Sequence, residues 1–386
     1  MTPSPGTALA GFLLSGFLFA LLGAVLPAWG YYRDPPDFIA VGNYFLTLAV
    51  GVIAANQVAA AILARKNPQF LLVFACTLGC LGLSLLALVT STAGWMWRIP
   101  GLAAMGLGVG LLNAGLFQSI AANFQRDPAR TAALGGVYYG LGSLAVTVLV
   151  AGTFYVYTVP SILILMALAP ALYAGLFARM PAVPAADIVQ TDFRKVLRDF
   201  RSLGAVLFAL LIFFQFGNEW SIAGWLPLFL VRRLGISPPA SLGLLALYWM
   251  ALLVGRVSAI LILPKVRHSV LLGSSVLAAL FGCLVLALTN NQFGAGTAVV
   301  MLGAGFASIY PLVAERIGRR FPYYHPVFFS GIFSFALFGG LIAPATLGYA
   351  ASAWGIRVVV VLPLLGTCMV AVLVGLIWLE SLITGQ

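Results

Sequence analysis

Long apolar runs separated by short polar breaks fill the chain almost from end to end. Each run is roughly 20 residues long, the length that carries an α-helix across a bilayer. Within a run the apolar positions are continuous, whereas a barrel strand would alternate apolar and polar residues. Lipid offers the backbone no hydrogen-bond partners, so only helices or closed barrels can cross it. The pattern predicts an all-α membrane protein with twelve transmembrane helices. They cover 8–29, 38–63, 69–90, 96–122, 130–153 and 158–178, then 203–231, 239–263, 269–289, 293–315, 327–350 and 356–380.

The polar stretch after the sixth run is the longest and carries Pro181, Pro184, Asp187, Asp192, Arg194, Lys195, Arg198, Asp199 and Arg201. It divides the chain into an N-terminal six-helix bundle (1–179), a cytoplasmic linker (180–202) with room for an amphipathic surface helix, and a C-terminal six-helix bundle (203–386). Duplicated halves should repeat at about half the chain length. Gly108 and Gly110 match Gly303 and Gly305 at an offset of 195 in the 386 residues.

Composition agrees with lipid as the main solvent. The chain is 62% hydrophobic and 8% charged, against about 25% charged in a soluble domain. A net charge of +11 raises the question of nucleic acid, but the basic residues sit in short loops between apolar runs. With the N-terminus cytoplasmic, 14 of the 20 lysines and arginines lie inside, 5 outside, and Arg256 lies within a helix. That asymmetry orients a multi-pass protein of the cell membrane with both termini cytoplasmic, and implies no nucleic-acid partner. The outer loops carry Trp29, Tyr31, Tyr32, Trp95, Trp97 and Trp354, as an interfacial aromatic belt would. No basic segment precedes the first run, which reads as a retained helix rather than a cleaved signal.

Enzyme signatures are missing. None of the three lysines follows a phosphate-binding glycine pattern, and His268 and His325 have no helical spacing. Cys76, Cys80, Cys283 and Cys368 all fall inside apolar runs, where small buried hydrophobes are expected. The sequence therefore implies no cofactor, no metal and no ATP-driven pump. Work done by this chain must draw on a gradient of substrate or ion.

Among the nine acids only Glu219 sits deep in a helix. Placing a carboxylate at mid-membrane costs on the order of 3 kcal/mol, so it should face a cavity or a partner. Gln215 lies one turn earlier and Asn218 is adjacent, so two or three polar groups are expected to share one helix face and give the carboxylate hydrogen-bond partners. Glu219 is thus a candidate both for substrate binding and for ion coupling. Arg256, inside the eighth helix, and Glu315, closing the tenth, are expected to pair as an inner gate when the protein is open to the outside.

Several segments resemble one transporter family. They are GFLFALLGAVLPAW in the first helix, GLGVGLLNAGLFQSIAANF in the fourth, ARTAALGGVYYGLGS in the fifth, FGNEWSIAGWLPLFL and LYWMALLVGR in the seventh and eighth, and FALFGGLIAPATLGYAA in the eleventh. Together they resemble the major facilitator superfamily and, within it, the fucose permease-like sugar symporters. The sequence departs from that pattern in ILARKNPQ and ILILPKVRH, loops that lack the usual acid, and in having no acid in helices one and four.

The resemblance implies the major facilitator fold, with two six-helix bundles around a central cavity and alternating access. It points to secondary transport of a monosaccharide coupled to H+ or Na+, by a monomer in the lipid bilayer. Sugars need planar hydrogen-bonding groups and aromatic faces. Besides Glu219, Gln215 and Asn218, candidates are Asn43, Asn113, Gln118, Tyr138, Tyr139, Trp220, Tyr248 and Trp249. Two competitors stand beside this reading: export of an amphipathic, drug-like compound, and a non-transporting membrane receptor, which would have no need of a titratable midplane acid.

Overall fold

The structure, a computed structural model, describes residues 5–89, 94–126, 128–180, 202–262, 265–320 and 331–384. Twelve long helices carry them: α1 (Pro5–Val25), α2 (Phe38–Leu63), α3 (Pro68–Leu88), α4 (Ile99–Arg126), α5 (Pro128–Thr153), α6 (Val159–Ala178), α7 (Leu203–Leu234), α8 (Pro238–Ile262), α9 (His268–Leu288), α10 (Gln292–Arg320), α11 (Gly331–Trp354) and α12 (Val358–Thr384). All twelve are long and apolar enough to cross a membrane. Local chemistry starts and stops them. Asp37 caps α2 by accepting from the Ala40 amide, and Asn67 caps α3 just before Pro68. Ser202 caps α7, which Gly235 ends in the left-handed region at φ +65°.

The expected helix ends slip where an apolar run and a helix are different things. Helix α1 stops at Val25, short of the predicted 29, because Pro27 and Gly30 (φ +80°) turn the still-apolar chain. Helix α10 continues through Arg316, Arg319 and Arg320, since arginine ends an apolar run without ending a helix. Residues 181–201 of the expected linker lie outside the described residues.

Contacts within the first six helices recur six helices later. Pairs α3–α4, α1–α5, α2–α4 and α3–α6 correspond to α9–α10, α7–α11, α8–α10 and α9–α12. The two six-helix bundles meet along α2–α11 and α5–α8, with α1–α7 and α5–α10 between. The glycine repeat is corrected by two residues. Gly108 packs on α3, whereas Gly303 packs on α8, so they are not equivalents. Gly106 against α2 matches Gly303 against α8, and Gly108 against α3 matches Gly305 against α9. A run of alternate glycines fits two registers equally well, and only the packing chooses between them.

The end of the bundle away from the termini is sealed. Helices α1 and α7 touch backbone to backbone, so a Cβ on Gly23 would stand 2.7 Å from the Ala223 carbonyl oxygen. Helices α2 and α11 do the same, with a Cβ on Gly42 falling 3.1 Å from the Gly348 Cα. Phe45 stacks on Trp225 across the halves. The Tyr349 hydroxyl donates to Asn43 at 2.5 Å, and Arg232 of α7 clasps Asp34 and the Tyr32 carbonyl in the α1–α2 loop.

Part of the expected aromatic belt turns inward at this end. Trp97 and Trp354 are exposed, but Trp29 and Tyr31 close on buried Arg98. Its guanidinium donates to the Tyr31 and Tyr44 hydroxyls, both at 3.2 Å, and lies 4.8 Å over the Trp29 ring. Burial, then the Tyr44 hydroxyl, push the Tyr31 phenol above its ordinary range, so it stays a donor here.

Candidate functional site between the two bundles

Helices α3, α6, α9 and α12 stand outside and contribute nothing to the two central cavities, while the other eight helices line them. The larger cavity, about 140 Å³, lies between the helix midpoints and the face that carries the termini. Its walls are rich in aromatic rings, with Phe12, Phe19, Phe117, Phe216, Trp220 and Tyr310 among them. Polar groups enter from Asn113, Thr131, Tyr139, Glu219 and Arg256.

Glu219 and Arg256 form a buried ion pair. Arg256 Nη2 donates to Glu219 Oε1 at 3.1 Å, with the two side chains 7% and 4% exposed. The same guanidinium crosses the seam, and its Nη1 donates to the Gly136 carbonyl on α5 at 2.6 Å. Gly136 makes room for it, since a Cβ there would stand 2.9 Å from Nη1. One arginine from the second bundle is thus held by a carboxylate of its own bundle and a carbonyl of the other. The pairing of Arg256 with Glu315 was expected for the state open to the outside, whereas in this structure the end away from the termini is sealed. Here Glu315 meets His268 Nε2 at 3.0 Å on the terminal side.

The candidate residues separate into three groups. Glu219, Trp220, Asn113 and Tyr139 line the larger cavity, and Asn113 accepts from Ser15 Oγ at 2.7 Å. Trp220 is held between Phe19, with ring centroids 4.4 Å apart, and Phe216, parallel at 5.8 Å. Beyond this group a second cavity of about 20 Å³ is lined by Trp249, and again by Phe19, Tyr139 and Trp220. Gln215 and Tyr248 back the ion pair. The Tyr248 hydroxyl donates to the Glu219 backbone oxygen at 3.4 Å, and the Gln215 amide lies beside the Glu219 carboxylate without reaching hydrogen-bond geometry.

The third group lies elsewhere. Contrary to the expected shared face, Asn218 points away from Glu219 and donates to Thr367 on α12 at 3.3 Å, so it ties two helices of one bundle. Asn43 belongs to the sealed end, and Gln118 and Tyr138 line neither cavity. Adjacent residues on a helix point about 100° apart, and that turn separates Asn218 from Glu219. The phenylalanine walls were missed by sequence reasoning, because 27 phenylalanines in an apolar chain give no contrast. The Glu219–Arg256 pair did leave a signal: the two charges are the deepest of opposite sign and sit on consecutive helices.

Comparison of the sequence with family models and with curated proteins finds no match. Solved structures match over almost the whole chain. A D-xylose–proton symporter superposes with a TM-score of 0.74 at 13% identity, covering 97% of this chain and 96% of that one. The E. coli fucose:proton symporter gives 0.64 at 16%, covering 97% and 98%. A nucleoside transporter gives 0.69 at 16%, covering 96% and 99%. With two six-helix bundles, paired seams and a central cavity, the chain has the major facilitator fold.

Proposed function

We propose that this protein is a secondary active transporter of a small polar solute, a monosaccharide being the favoured class, coupled to H+ or Na+. The observation that carries the reading is the buried Glu219–Arg256 pair on the cavity wall, with Arg256 also bonded across the seam to Gly136. A charge pair that spans two bundles next to a ligand-sized cavity ties the charge state of the site to the bundles' relative position. Burying both charges is expensive, and removing one leaves the other uncompensated. Neutralising Glu219 with a proton, or engaging it with substrate, therefore changes how firmly Arg256 holds the α5–α8 seam. Two structural neighbours, the D-xylose–proton and fucose:proton symporters, agree with this reading.

In this proposal residues 1–179 and 203–386 rock as two bodies joined by 180–202, within the cell membrane and with both termini cytoplasmic. The cavity is then closed to the outside and belongs to the inward-facing half of the cycle. The working unit is a monomer, since the cavity is built wholly within one chain. Arg256 and Glu315 remain the proposed partners for the opposite state, when Arg256 must leave Glu219. A second reading, transport of an amphipathic compound, is favoured by the aromatic walls. Purified protein in vesicles, offered labelled monosaccharides with and without an inward proton or sodium gradient, tests the first reading. Gradient-driven accumulation of a sugar is expected. Movement of lipophilic cations but of no sugar supports the second.

A further inference from the structure

An asparagine amide carries an acceptor at one end and donors at the other, and its neighbours decide which end meets a ligand. Asn113 of α4 lines the larger cavity, and its Oδ1 accepts from the Ser15 hydroxyl of α1 at 2.7 Å. Ser15 is fully buried, and among the described residues its hydroxyl proton has no other acceptor. Turning the amide over would set Nδ2 against that hydroxyl and leave the proton buried without a partner. The Ser15 proton therefore holds the amide oxygen toward α1 and leaves the amide N–H groups free. Among the described residues Nδ2 has no partner, yet it is not one of the orphaned atoms shut away from solvent. It is therefore open, and the space beside Asn113 is the larger cavity. Asn218 is the contrast, because its Nδ2 is occupied by Thr367 of α12.

We propose that Ser15 is a positioning residue that fixes Asn113 as a hydrogen-bond donor to the solute, so that the solute must turn an acceptor oxygen toward the first bundle. The inference rests on the transporter reading and deepens it with a rule of specificity. The second bundle supplies the opposite character, since Glu219 Oε2 is the carboxylate oxygen that takes no bond from Arg256. A solute with an acceptor oxygen on one side and a hydroxyl donor on the other satisfies both bundles at once. A hydrocarbon or a cation set against Asn113 leaves its donors unmatched and is rejected. Sequence reasoning named Asn113 and passed over Ser15, because a serine inside an apolar helix commonly bonds its own backbone. Here it bonds a different helix instead.

The test uses the purified full-length chain. Its probes are the tightest binder from a panel of monosaccharides and the monodeoxy, monofluoro and monoamino forms of that sugar. Fluorine accepts a hydrogen bond without donating one, and an ammonium group, below the amine's pKa, donates without accepting. At one ring position the wild type should bind the deoxy form about tenfold less tightly than the parent sugar, the fluoro form better than the deoxy, and the ammonium form worst. Asn113→Ala should bind the parent and that deoxy form equally. Ser15→Ala frees the amide to turn its oxygen to the ligand, so the ammonium form should gain about fivefold relative to the parent. A merely structural serine would shift every form by the same factor, and that result overturns the positioning role. An ammonium form that binds the wild type as well as the fluoro form, at every position where the hydroxyl matters, overturns the donor assignment. Both results leave the transporter reading intact. If no sugar in the panel binds the wild type, the monosaccharide reading fails, and ligand-free melting of Ser15→Ala, Asn113→Ala and the double variant still judges the pair. Coupled losses support it, and additive losses overturn it.

Discussion

Glu219 and Arg256 are worth more as a pair than as single residues. Removing one partner of a buried ion pair costs about 3–5 kcal/mol, because the other charge stays behind without compensation. Arg256→Gln should therefore destabilise the protein strongly, and adding Glu219→Gln should restore most of the loss. Thermal unfolding of the two single variants and the double variant reads this directly; additive losses would mean that the two side chains do not interact. Gly136→Ala is the gentler change. The added methyl collides with the movable tip of Arg256 rather than with backbone, so the fold should hold while the bond to the Gly136 carbonyl is lost. Spin labels on α5 and α8 should then report a wider spread of distances across the seam than in the wild type. Sequence made Glu219 and Arg256 visible as isolated charges in apolar runs. It could not say that they meet, because an arginine's long reach leaves several partners open until the helices are placed.

Glycine sets how closely the helices approach, and the two seams use it at opposite ends. At the sealed end Gly42 of α2 faces Gly348 of α11 with no space for a side chain. Gly348→Leu should hold that end apart and bias the protein toward opening there. A cysteine replacing buried Phe45 in a cysteine-free background would then react with an impermeant thiol reagent from that face, whereas the same cysteine beside native Gly348 would stay protected. Equal protection in both would show that the α2–α11 contact is not a gate. The helices themselves were legible because continuous apolar runs admit no other membrane-crossing structure. Their ends were less so, since Pro27, Gly30 and Arg320 act on the helix and on hydropathy in different ways. The faces of α7 were the hardest to read: Asn218 and Glu219 are neighbours in sequence, yet one bonds α12 and the other lines the cavity.

At the scale of the whole molecule, the repeated contact pattern makes two bodies that meet at few places, which is what rocking requires. The inside assignment is checked by a cysteine replacing exposed Lys265 in the α8–α9 loop. In intact cells it should resist an impermeant thiol reagent and react only after the membrane is opened; labelling from outside would reverse the topology. Thirteen to sixteen per cent identity to solved transporters preserves the fold, while residues that meet substrate are free to differ. The central claim is that Glu219 couples ion movement to solute movement through Arg256. Its most direct test is Glu219→Gln in sealed vesicles, assayed with a transported monosaccharide both for uphill accumulation under an ion gradient and for counterflow exchange without one. The account predicts that accumulation is lost and counterflow survives, because the amide keeps the shape of the protonated acid but cannot release a proton. Full accumulation with wild-type affinity in the variant would contradict it and leave Glu219 a structural contact.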